Sequence, residues 1–170
     1  MLVLPGSSAL SDARFELLAT EMAALGGECV LREVVHAYVI DVPPGHSVNA
    51  KRLAALLHPG TATAPDPDAL TRSGQRIVAP RFGTISPWSS KATDIAHNCG
   101  FAAIERIERI TIVGVDDLQA CADHRALDAL IHDRMVETVV DSLDDLAPLF
   151  ERSAPQSLSL IHISEPTRPY

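Results

Sequence analysis

The chain has 170 residues, 46% of them hydrophobic and 21% charged, and a formal net charge of -8. That length supports one domain burying roughly 70% of its unfolded surface, while no apolar run approaches the roughly 20 residues of a membrane span. The acidic balance argues against a general binder of nucleic-acid backbones. Three widely spaced cysteines, Cys29, Cys99 and Cys121, contain no CxxC pair, which argues against a disulfide framework or a zinc site. They read as reduced thiols, and a start without a basic n-region places the chain in the cytoplasm.

In chain order, Ser11 is positioned to cap a helix through Leu25, because Phe15, Leu18, Met22 and Leu25 recur at helical spacing before Gly26 and Gly27. Ser7 and Ser8 are rival starts. Cys29 to Val42 reads as a strand bent near Val34 to Ala37 and broken by Pro43 to Gly45. Ser47 is expected to cap a second helix with Ala50, Leu53 and Leu57 on one face. His58 to Gly74 carries three prolines and little periodicity, so it reads as a loop. Strand character returns at Gln75 to Pro80 and at Arg109 to Val115. A helix is expected from Asp116 or Asp117 to Ile131, then a short strand over Met135 to Val140 and a short helix over Ser142 to Phe150. No repeat is visible by eye. The order without a Gly-rich βαβ fingerprint predicts an α+β fold with small, largely antiparallel sheets and helices packed on them.

Leu158 to Arg168, "LSLIHISEPTR", is unlike the rest in composition and periodicity. It is the one-frame translation of a transposase mosaic end and adapter DNA used in sequencing libraries. Residues 158–170 are therefore read as non-native and set aside from fold reasoning. Residues 1–150 are read as the domain and 151–157 as the start of a linker, with the native frame continuing past Ser157.

The densest polar stretch is "FGTISPWSSKATDIAHNCG", Phe82 to Gly100. Gly83 permits a tight turn, and Pro87 fixes a dihedral before Trp88, the single tryptophan. Ser89 or Ser90 is expected to cap a helix through Asn98, closed by Gly100 in the left-handed conformation. Such a start offers N–H groups, hydroxyls and Lys91 to an anion. Asp94, His97 and Asn98 fall at helical spacing and share a face. The stretch lacks the second Gly of a phosphate-cradling loop, so ATP binding through it is not supported. A capped loop–helix with Trp88 packed in a core also needs no purpose beyond stability. His97 and Cys99 fall on different helical faces and do not make a nucleophilic pair. The second polar cluster, His132, Asp133, Arg134 and Glu137, reads as a solvated face or local salt bridging.

"GTISPWSSKATDIAHNCG" closely resembles the signature near the end of the N-terminal domain of large, single-chain phosphoribosylformylglycinamidine synthases. "GSSALSDAR", Gly6 to Arg14, and "HDRMVETV", His132 to Val139, resemble two further blocks of that family in the same order. Phe82 stands where the family pattern has Pro. The resemblance implies an ATP-dependent ligase of purine biosynthesis that converts formylglycinamide ribonucleotide, glutamine and ATP to the amidine, glutamate, ADP and phosphate. The ATP- and magnesium-dependent synthetase core and the glutaminase of that enzyme would lie downstream of this chain. It implies no catalytic or metal-ligating residue here, no cofactor on this fragment, and no turnover by the fragment alone. The implied partners are the synthetase and glutaminase domains of the same chain, in a monomeric parent without nucleic-acid or membrane partners. The domain is implied to resemble a fused dimer of the small accessory subunit of split enzymes. Thr84, Ser86, Trp88, Ser89, Ser90, Lys91, Asp94, His97 and Asn98 become candidates for a domain interface or for contact with formylglycinamide ribonucleotide. A free-standing scaffold bridging separate synthetase and glutaminase subunits is the alternative. A small phosphate-ligand enzyme using Lys91, Asp94 and His97 is a third.

Overall fold

A computed structural model describes residues 1–58 and 66–151. The linker and adapter readings, and part of the expected loop after His58, lie outside those residues. Five strands, β1 (Leu2–Ser8), β2 (Val30–Asp41), β3 (Gln75–Pro80), β4 (Arg106–Asp116) and β5 (Glu137–Val140), form one sheet in the order β1-β2-β4-β3-β5. Every neighbouring pair is antiparallel. The α+β expectation holds, with one sheet among the described residues. The α-helices among the described residues are α1 (Asp12–Ala24), α2 (Ala50–Leu57), α3 (Pro87–Asn98) and α4 (His124–Ile131).

Strand alternation divides the core. Tyr38 and Ile40 of β2 face one side, where α2 and α3 add Leu53 and Ala96, while Val34 of β2 and Val113 of β4 meet Met22 of α1 and Leu127 of α4 further along it. Ala37, Val39, Ile110 and Ile112 face the other side, covered by Leu146 and Leu149 of the 3-10 helix Leu143–Phe150. The chain thus runs through strand–helix–strand–helix twice. Asp12 to Pro87, Val30 to Arg106 and Ala50 to His124 are nearly equal steps, and the long strands β2 and β4 pair at the centre, Val35 opposite Ile112. The repeat lies in element order rather than in matching residues, which is why the sequence does not show it.

Several boundaries differ from expectation. β1 was not anticipated. Pro5 and Gly6 interrupt its strand pattern, yet Pro5 is tolerated because β1 is an edge strand whose one neighbour is β2. The expected bend of β2 coincides with the irregular register between Pro5 and Ser8 of β1, and a second shift lies between Leu31 and Glu33. The cap of α2 is Asn49 rather than Ser47, its side chain accepting from Arg52 N at 3.0 Å. The expected long helix from Asp116 or Asp117 does not form. Asp117 is left-handed at φ 54°, a 3-10 turn occupies Leu118–Ala120, and Cys121 is extended. Asp123 then caps α4, accepting from Arg125 N and Ala126 N at 2.9 and 3.0 Å. β4 begins three residues earlier than expected, at Arg106, and so takes in Glu108.

Candidate functional site

The stretch from Phe82 to Gly100 forms a tight loop and α3. The cap is Ser86, not Ser89 or Ser90: its Oγ accepts from Ser89 N at 3.1 Å, and Pro87 takes the first helical position, where a missing N–H costs nothing. The far end closes as expected. Gly100 is left-handed at φ 87°, donating to His97 O at 3.0 Å, and Phe101 N donates to Ala96 O at 2.9 Å.

A buried carboxylate that sequence reasoning missed anchors the loop. Glu108 is 0% exposed. It accepts from Ser86 Oγ at 2.7 Å, Ser86 N at 3.2 Å and Arg106 Nε at 2.9 Å, and it is ion-paired with Arg106. Arg106 also donates to Thr84 O at 2.6 Å and Leu149 O at 3.2 Å, and its guanidinium stands 5.4 Å from the Phe150 ring. The charge is therefore paired and its hydrogen bonds are met, the condition for tolerating a carboxylate inside a fold. The helix start attracts an anion as its dipole predicts, but that anion is Glu108 of the chain itself. The available signal was the pair of charges at alternate positions in "RIERI", both facing the side of the sheet opposite the α-helices.

The candidates fall into two groups. Facing inward, Trp88 is half-buried and stacks on Tyr38, rings 5.6 Å apart at 23°, with the Arg109 guanidinium 5.2 Å from its ring. Tyr38 also meets His58 at 5.2 Å, and His58 Nε2–H donates to Pro5 O at 2.9 Å. Ser89 is buried too. On the exposed side are Thr84, Ser90, Lys91, Asp94, His97 and Asn98. Thr84 Oγ1 donates to Arg81 O at 2.6 Å, fixing the turn, and His97 Nε2–H donates to Ile104 O at 2.7 Å. His97 therefore ties α3 to the approach to β4 instead of joining Asp94 and Asn98 as a ligand group. Thr93, on the flank of α3, accepts from Ile107 N at 3.1 Å.

The other clusters are structural. The cluster at 132–137 forms no ion pair among the described residues: Asp133 and Glu137 make a local turn, Asp133 N donating to Glu137 Oε2 and Met135 N to Asp133 Oδ1, each at 2.8 Å, while the His132 ring bonds the Asp128 carbonyl. A cavity of about 1270 Å³ is flanked by Arg32, Arg72 and Arg76. Each is held by carboxylates: Arg32 by Asp116 at 2.6 Å, Arg72 by Glu33 at 2.9 Å, Arg76 by Asp128 at 3.1 Å. The three cysteines are free thiols. Cys29 and Cys121 are buried side by side, and burial first, then Cys121, pushes the Cys29 thiol up. No helix among the described residues is long and apolar enough to cross a membrane.

The family model described as formylglycinamide ribonucleotide amidotransferase N-terminal matches residues 33–150. The match begins within β2 and ends at Phe150, so it spans the loop–helix unit, its Glu108 anchor and the closing 3-10 helix. Covering more than half of the sequence, it places the motif within a domain already known by family, and the chain belongs to the formylglycinamide ribonucleotide amidotransferase N-terminal family.

Proposed function

We propose that this chain is the coupling domain of a phosphoribosylformylglycinamidine synthase. In the parent, ATP and magnesium would serve a synthetase domain, glutamine would supply ammonia through a glutaminase domain, and formylglycinamide ribonucleotide would become the amidine. This domain would brace the two and carry no turnover alone. The fold's doubled strand–helix–strand–helix order supports reading it as a fused pair of accessory-subunit-like halves.

One observation carries the choice between docking and substrate contact: the start of α3 is already filled by Glu108. A ribonucleotide phosphate there would meet a buried like charge. Docking by the exposed side of the rigid unit, Thr84, Ser90, Lys91 and Asp94, is the reading that remains. The test is Lys91→Ala in the full-length enzyme. Amidine formation is expected to fall about tenfold while glutamine hydrolysis changes less than about twofold, the signature of lost coupling rather than lost folding. Equal loss of both overturns the reading. Tight binding of the separate 170-residue chain to isolated synthetase and glutaminase domains, restoring coupled turnover, would instead favour the free-standing scaffold.

A further inference from the structure

A cavity of about 510 Å³ opens beside the first turns of α3, between the loop at Gly83 and Ile85 and Phe150 and Glu151 at the end of the 3-10 helix. Its charges are unbalanced. Arg106 reaches it, but that guanidinium is committed to Glu108, Thr84 O and Leu149 O. Asp41, Asp94 and Glu151 contribute carboxylates that form no ion pair among the described residues. A second, independent observation points to a ligand. Ser89 lines the cavity, is 0% exposed, and its Oγ has no hydrogen-bond partner among the described residues. A buried hydroxyl left without a partner is destabilising, so it marks a place where a partner is expected. The walls are apolar at Phe150 and at Ile85, which is 64% exposed despite its size.

We propose that this cavity receives a basic side chain, arginine or lysine, from the domain that packs on this one. The proposal rests on the coupling reading above and names its partner's chemistry. The methylene stem would lie along Ile85 and Phe150 while the charged head reaches the carboxylates, the usual division of a long basic side chain. Ser89 Oγ would accept a hydrogen bond from that head. A phosphate is disfavoured by the carboxylates lining the cavity, and no group of three His, Cys, Asp or Glu among the described residues is placed to hold a metal ion.

The test titrates N-acetyl-arginine amide into the 170-residue chain, with the neutral N-acetyl-citrulline amide as control, reading backbone amide shifts by NMR. Saturable shifts are expected at Ile85, Ser89, Ser90 and Thr93, with the citrulline compound about tenfold weaker. Asp94→Asn is expected to weaken the arginine compound about threefold. Ser89→Ala should weaken it while the melting temperature holds or rises, because the orphaned hydroxyl is gone. Equal binding of the two compounds, shifts away from the cavity, or unaltered binding by both variants overturns the proposal. Those outcomes leave the Lys91→Ala enzyme assay untouched, so the two readings fail separately.

Discussion

Ser86 and Glu108 hold each other across the start of α3: the serine hydroxyl donates to Oε2 at 2.7 Å while accepting the Ser89 amide, and the serine amide donates to Oε1. The helix cap and the buried carboxylate are one device, since a hydroxyl can donate once and still accept. Removing Glu108 strands Arg106 and empties the helix start. Glu108→Ala is expected to lower unfolding stability by about 3–5 kcal/mol, the cost of breaking a buried pair. Glu108→Gln, which keeps the shape and an acceptor, should recover part of it. Ser86→Ala should cost about 2 kcal/mol through the lost cap. Urea denaturation of the three variants checks the order.

Trp88 is held differently, by ring contacts. With Tyr38 stacked on it and Arg109 over it, Trp88→Ala is expected to destabilise the domain by about 2–4 kcal/mol, toward the lower part of the core range because the ring is half-exposed. Trp88→Phe keeps a face for both neighbours and should lose much less. In the full-length enzyme, Trp88→Ala should depress both half-reactions together with the folded fraction. Unchanged melting with selective loss of amidine formation would show Trp88 to be a docking residue.

How far the sequence reached depended on whether the deciding force was local. Gly100 at the end of α3, the break at Pro43–Gly45 and the strands at Gln75 and Arg109 rest on turn chemistry and alternation, which neighbouring residues display. The capping serine was misplaced by three or four positions although Pro87 marked the first helical residue. Asp116, Asp117 and Asp123 look alike as caps, and only the left-handed Asp117 and the extended Cys121 separate them. Glu108 was harder to place, for a stronger reason. Its partner Ser86 lies 22 residues away, and a charge in a strand reads as solvent-facing unless tertiary pairing buries it. Inward-turned Trp88 likewise depends on Tyr38, from β2.

Two glycines separate backbone strain from close packing. Gly27 has φ 96°, and a Cβ there would stand 2.4 Å from the Ala120 carbonyl oxygen, where Gly27 bridges to Cys121. Gly45 has φ 84° with nothing within 4 Å. Gly45→Ala should therefore cost about 1 kcal/mol from conformation alone. Gly27→Ala adds a backbone clash and should cost several times more, separating the α1–β2 connection from the turn before α4. Equal melting temperatures for the two variants would contradict the close approach.

His36 makes stability depend on pH in a definite direction. Burial, and then the positive charge of Arg109, lowers its pKa from an ordinary 6.5 to about 4, while its Nδ1 lies 3.4 Å from Thr111 Oγ1. It shares a cavity with Arg14, Glu21 and Glu137 at the α1 side of the sheet. Because the folded pKa lies below the unfolded one, the unfolded chain binds more protons between about pH 6.5 and 4. The stabilising contribution of neutral His36 is thus complete above pH 6.5 and lost as pH falls toward 4. Carboxylates titrate over the lower part of that window, so the reading is the difference between the native chain and His36→Gln. The native chain should lose melting temperature more steeply from pH 7 to pH 4.5. Parallel curves would mean that His36 protonates as readily folded as unfolded, which a half-buried ring beside the positive charge of Arg109 should not do.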